Sequence, residues 1–149
     1  MKQSEKALVA ACGGYCGGCP FYYLAYINND EKLKKVRELS KQFNMDVKPD
    51  DIGCLGCHGS IRSRWCASCS IRQCTEEKGI LTCAFCDVFL CEKLEKFYDE
   101  ENKRYGNETR YGDESRAQIL RQREIGLEKW LEEIRFAREK KSQHAGDTC

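Results

Sequence analysis

Apolar positions along the chain gather into a few stretches of helical period, separated by polar or cysteine-bearing connectors. Leu33, Val36, Leu39 and Phe43 recur at three- and four-residue spacing, which puts them on one helix face. They predict an amphipathic helix running to about Asn44, with Asn29 or Asp30 to cap its start. Upstream, Pro20 suits a first helical turn and Phe21 to Ile27 reads as a short apolar helix. Asp46 to Gly53, with Pro49, reads as a connector. Thr75 to Lys78 predicts a helical turn stopped by Gly79. From Asp87 the pattern turns helical again, with Leu90, Leu94, Phe97 and Glu101 along one face. The longest helical pattern runs from Glu114 to Lys141, striped by Leu120, Leu127, Trp130, Leu131 and Ile134. Gly126 is a weak point inside it. Ser142 to Cys149 has no periodicity and reads as a frayed tail.

These stripes are thin for 149 residues. Leu, Ile, Val and Phe together make up just under a fifth of the chain, a proportion at which a chain can fail to fold on apolar burial alone. The net charge of +1 argues against disorder. Something else therefore fixes part of the fold, and twelve cysteines offer it, as disulfides or as metal ligands.

Compartment decides between those two. The chain starts MKQSEK, and Val9-Ala10-Ala11-Cys12 resembles a lipoprotein cleavage box. Its apolar stretch from Ala7 to Ala11 is five residues, short of the roughly 7–15 that a signal requires. No stretch approaches the ~20 apolar residues of a membrane helix. The expectation is a cytoplasmic protein without membrane association, where thiols stay reduced and cysteine clusters bind metal.

The cysteines fall into two zones. The first is Cys12, Cys16 and Cys19, set among four glycines that let backbone close around the sulfurs. The second holds Cys54, Cys57, Cys66, Cys69, Cys74, Cys83, Cys86 and Cys91. Within it, 66–74 and 83–91 repeat one pattern, C-x2-C-x4-C. Two cysteines separated by two residues aim both sulfurs at one metal across a tight turn, and two such pairs complete a tetrahedral zinc site. That spacing occurs at 16/19, 54/57, 66/69 and 83/86. The flanking Gly, Ser and Arg residues do not suit buried thiols acting as small hydrophobes.

Eleven clustered thiols call for two to three zinc ions per chain. His58, directly after Cys57, would be a twelfth ligand and make three four-ligand sites. Which cysteines share a metal is not encoded in their spacing. Cys149, in the tail, reads as a free thiol. An iron–sulfur cluster is the alternative, since it too takes four thiolates. The first zone's C-x3-C-x2-C is also the spacing of radical S-adenosylmethionine enzymes, but the chain is short for the barrel they use, roughly 200 residues or more. The expected fold is a small α-rich, metal-stabilised one: helices attached to cysteine zinc knuckles, with short strands at most. A cysteine-rich metal-binding domain would span 1–98, a polar linker 99–113, and a C-terminal amphipathic helix 114–141, packed on the domain.

For function, the metal sites point away from catalysis. All-cysteine sites are closed, whereas catalytic zinc keeps an open position. No nucleophile–base pair or phosphate-binding loop stands out around His58 or His144. A single-strand nucleic-acid binder is one alternative, from Arg62, Arg64, Arg72 and Trp65 in a stretch free of acidic residues. Against it, three zinc ions on eleven thiolates bring the formal charge to about −4, without the broad basic footprint of such proteins. A zinc-stabilised module that binds an unidentified protein partner is the preferred reading. Redox sensing is a variant, because thiolates oxidise and metal loss unfolds such domains.

The residues also resemble a known family. Ala11-Cys12-Gly13-Gly14-Tyr15-Cys16-Gly17-Gly18-Cys19-Pro20-Phe21-Tyr22 is similar to the opening of domain of unknown function 3795, a family of small cysteine-rich proteins of bacteria and archaea. The likeness continues through Lys48 to Cys57, Trp65 to Cys74, Glu77-Lys78-Gly79 and Cys83 to Leu94. It covers roughly residues 8–98 and matches all eleven clustered cysteines. The resemblance implies zinc binding and no assigned reaction. His58 is not part of the family pattern. Leu90 stands where proline is common, which favours helix continuity there.

Overall fold

In the computed structural model, residues 4–19, 22, 27–64, 66–104 and 110–143 are described. The cap of the first regular helix is Asn28, one residue earlier than the sequence suggests. Its side chain accepts from the Glu31 backbone N–H at 3.0 Å, and helix α1 runs over Asn29–Phe43. Asn44 ends it in the left-handed conformation, which its short polar side chain tolerates. Val36 and Leu39 are buried and close a small cluster with Val47 and Ile52, whereas Leu33 is exposed. The stripe is thus narrower than the sequence pattern. The apolar segment 21–26 lies outside the described residues, save Tyr22.

Four more α-helices follow among the described residues: α2 over Ser70–Lys78, α3 over Glu92–Arg104, α4 over Tyr111–Ile125 and α5 over Leu127–Gln143. The fold is α-rich; the only β feature among the described residues is one isolated bridge, Val9 to Tyr15. Helix α2 begins five residues before the predicted turn and carries Cys74 inside it; Gly79 stops it, at φ +67°. Helix α3 starts at Glu92 rather than Asp87. The segment before it holds the short 3-10 turn Cys83–Phe85, and Leu90 lies between that turn and α3, in no helix. At its other end α3 is helical through Arg104, inside the stretch predicted as linker. The long C-terminal pattern is two helices: Gly126 breaks it at φ +87° and ψ 161°.

The main core gathers Ala11, Ile71, Cys83, Ala84, Leu94, Tyr98 and Ile119. It therefore joins both cysteine zones to α2, α3 and α4. Ile119, fully buried, replaces the predicted Leu120, which is half exposed. Helix α4 approaches the first cysteine loop so closely that a Cβ on Gly13 would lie 2.6 Å from Ile119 Cβ. Gly112 likewise lets α4 meet α3: a Cβ there would sit 1.9 Å from the Tyr98 carbonyl oxygen. A third cluster puts Trp130 and Leu131 of α5 on Val9. The Trp130 indole donates to Gln118 Oε1 at 2.7 Å and meets Tyr15 edge-on at 6.4 Å.

Candidate metal centre

All eleven cysteines predicted as ligands are described, and all are free thiols; Cys149 lies outside the described residues. They are held by short turns and helix ends. Cys16 opens a 3-10 turn, Cys69 precedes α2, Cys83 opens another 3-10 turn, and Cys91 precedes α3. Such turns aim backbone N–H groups at sulfur. Cys57 N–H donates to Cys16 Sγ at 3.3 Å. The backbone at Gly14, Ala11 and Val88 likewise favours the thiolates of Cys12, Cys57 and Cys86.

The chain folds these thiols into two neighbourhoods. Cys83 shares one with Cys91, Cys86 and Cys74, the thiols whose charges bear most on it. All four line one cavity, with Ile71, Thr75 and Lys78. Burial pushes the Cys83 thiol up to about 12, and its three neighbours add repulsion. Cys86 goes the other way. Lys78 Nζ donates to its Sγ at 3.1 Å, which holds that thiol below its ordinary value. An ammonium beside clustered thiolates offsets their negative charge.

The other seven are coupled to one another through their charges. Thiolate charges from Cys57, Cys69 and Cys66 bear on Cys12. Those of Cys57, Cys12 and Cys19 bear on Cys16. Those of Cys54, Cys19 and Cys57 bear on Cys66. Burial is the first cause of the raised thiols in each case: Cys12 and Cys16 lie far above the ordinary range, and Cys66 is pushed up to about 12 although the residue as a whole is exposed. Among the described residues no group of three or more Cys, His, Asp or Glu is drawn to the spacing of a metal site. The donor chemistry nevertheless fits a thiophilic metal: thiols in closed neighbourhoods, N–H···S bonds, and a cation beside each group.

The cation of the larger group is Arg72. It is 3% exposed and its charge bears on Cys57. Its guanidinium donates to the carbonyls of Cys66 and, at 2.8 Å, Ala67, while its Nε has no hydrogen-bond partner. Arg62 donates to the Cys57 carbonyl at 3.1 Å, and Arg64 to that of Asp46 at 3.2 Å. All three arginines of the basic stretch thus hold the chain's own loops; Trp65 lies outside the described residues. His58 Nε2 pairs with the Leu81 carbonyl at 2.9 Å, and its Nδ1 lies 3.8 Å from Glu76. The Nε2 atom is thus engaged away from sulfur.

Sequence reading missed the residues that clamp these loops. Tyr98 donates to the Cys12 carbonyl at 2.6 Å. Gln122 donates to the Gly13 carbonyl at 2.8 Å and accepts from Thr82 at 3.0 Å. Arg123 donates to the carbonyls of Ala84 and Cys86 at 2.8 and 3.0 Å. A helical i,i+4 spacing from Cys74 would have pointed to Lys78; no local signal points to Gln122.

No helix among the described residues is long and apolar enough to cross a membrane. Neither a curated protein nor a solved structure matches the chain. A family model does, over residues 8–96, which include all eleven clustered cysteines and exclude Gln122 and Arg123. By that match the chain belongs to DUF3795, a family of proteins of unknown function.

Proposed function

We propose that the chain is a cytoplasmic zinc-binding protein whose thiolate sites are structural and which acts through its surface. The observation that carries this is the group of Cys74, Cys83, Cys86 and Cys91 around one cavity, with Lys78 on Cys86. Four thiolates saturate a tetrahedral zinc and leave no position for substrate. Zinc there would supply binding energy to the fold, tying α2 to the segment before α3. The surface role follows from that closure: Phe85 and Val88 stand exposed on the same knuckle.

Elemental analysis of protein purified without oxygen tests this, with two to three zinc per chain expected. Brown protein with near-stoichiometric iron and sulfide would overturn the zinc assignment. A Cys83→Ser variant should lose about one zinc and melt at lower temperature than the parent. Unchanged zinc content would remove Cys83 from the ligand set.

A further inference from the structure

Helix α5 encloses a cavity of about 140 Å³ against the N-terminal segment, lined by Glu5, Tyr15, Leu131, Ile134, Arg135 and Arg138. Leu131 is buried, Ile134 and Tyr15 are half-buried, and Arg135 and Arg138 are exposed. The inner lining is therefore apolar and the cations stand at its edge. Water finds few hydrogen-bond partners on an apolar wall, whereas an apolar body gains contact and burial there. We propose that this cavity binds a small organic acid, with a flat apolar body the size of one ring on Leu131, Ile134 and Tyr15 and its carboxylate on the Arg138 guanidinium.

Size, charge and geometry select that ligand. An apolar cavity of about 150 Å³ takes up benzene, so one ring fits here, while drug-sized ligands need roughly 300 Å³ or more. The lining carries two arginines against one glutamate, so it is cationic as a whole. Arg135 already shows how a carboxylate is held: its Nε and Nη2 donate to the two Glu5 oxygens at 3.1 and 2.6 Å. A second carboxylate on Arg135 would meet the charge of Glu5. Arg138 offers the same fork of donors, and its guanidinium lies over the Tyr15 ring, 5.3 Å from the centroid. A ring seated against Tyr15 thus has its carboxylate within reach of that cation. Leu131, Ile134, Arg135 and Arg138 all belong to α5, beyond the residues 8–96 matched by the family, whereas Tyr15 lies inside them, between Cys12 and Cys16. The site is formed where that added helix meets the first cysteine loop, and it stands whether or not those thiols hold zinc.

The test is a titration of the whole chain, as purified, with sodium benzoate, followed by NMR. Saturable shifts confined to Tyr15, Leu131, Ile134 and Arg138 are expected, with a Kd of about 1 mM. Benzamide keeps the ring without the charge and acetate keeps the charge without the ring; each should bind at least about tenfold more weakly. Arg138→Gln should weaken benzoate about tenfold and leave benzamide unchanged. Arg138 is exposed, so the variant keeps its fold. No saturable shift, shifts scattered over the surface, equal responses to acetate and benzoate, or full benzoate affinity in Arg138→Gln would each overturn the proposal. So would tighter binding of a short peptide ending in phenylalanine, which carries the same ring and carboxylate and would assign the cavity to a chain terminus.

Discussion

Gln122 on α4 donates to the carbonyl of Gly13 at 2.8 Å, across 109 residues of chain. Its other side-chain atom accepts from Thr82 at 3.0 Å, next to Cys83. One fully buried amide thus spans the loops that carry Cys12 and Cys83.

Removing that amide should loosen both loops. Gln122→Ala strands a buried carbonyl and a buried hydroxyl, each costing about 1–3 kcal/mol. The expected loss in urea unfolding is about 2–4 kcal/mol, with the metal content of the folded protein unchanged. A loss below about 0.5 kcal/mol would place Gln122 with ordinary surface substitutions and deny it this role.

Gly13 should tolerate a methyl group far less than Gly79 does. Both have positive φ, +102° and +67°, so alanine at either carries roughly 1–2 kcal/mol of backbone strain. At Gly79 nothing lies within 4 Å of the added Cβ, whereas at Gly13 it meets Ile119 at 2.6 Å. Overpacking adds about 1–3 kcal/mol there. Thermal melts of Gly13→Ala and Gly79→Ala compare the two directly; equal losses would mean that α4 does not press on the first cysteine loop.

Tyr98 makes stability fall at high pH. Burial raises its phenol above the ordinary value of 10.0, and the thiolate charges of Cys12 and Cys83 raise it further. In the unfolded chain the phenol loses its proton first, near about 10. The native state then binds more protons than the unfolded state, so stability declines as pH rises past that point. Below it the contribution is fully present. Tyr98→Phe should lose about 1 kcal/mol at neutral pH, from the bond to the Cys12 carbonyl, and should flatten the alkaline decline. An identical pH slope in parent and variant would assign that decline to other groups.

On the zinc reading proposed above, Lys78 should govern how firmly one ion is held. Its ammonium lies 3.1 Å from Cys86 Sγ, where it favours the thiolate, the form a metal would take. Lys78→Met is expected to speed release of about one zinc to a chelator and to leave the rest unaffected. Uniform acceleration for every zinc would point to general destabilisation, and none at all would show the ammonium to be dispensable.

Much of the helical framework was legible in advance because it rests on local pattern. The α1 stripe around Val36 and Leu39, the stop at Gly79 and the weakness at Gly126 all follow from spacing or from glycine's backbone freedom. The errors fall where tertiary contact decides. Leu90 fits the helical pattern, yet α3 begins only at Glu92. Leu120 falls on the predicted stripe, yet Gly126 breaks the pattern into α4 and α5 and Ile119 faces Gly13 instead.

By itself the sequence determined the family, the eleven candidate ligands and the α-rich class, because knuckle spacing and helical period are properties of neighbouring residues. Only the tertiary structure divided those thiols into a group of four and a group of seven, set Lys78 and Arg72 beside them, and turned His58 toward Leu81. Those relations join residues from different turns and helices. They depend on how α2, α3 and α4 pack around Tyr98 and Ile119, and no local spacing carries that information.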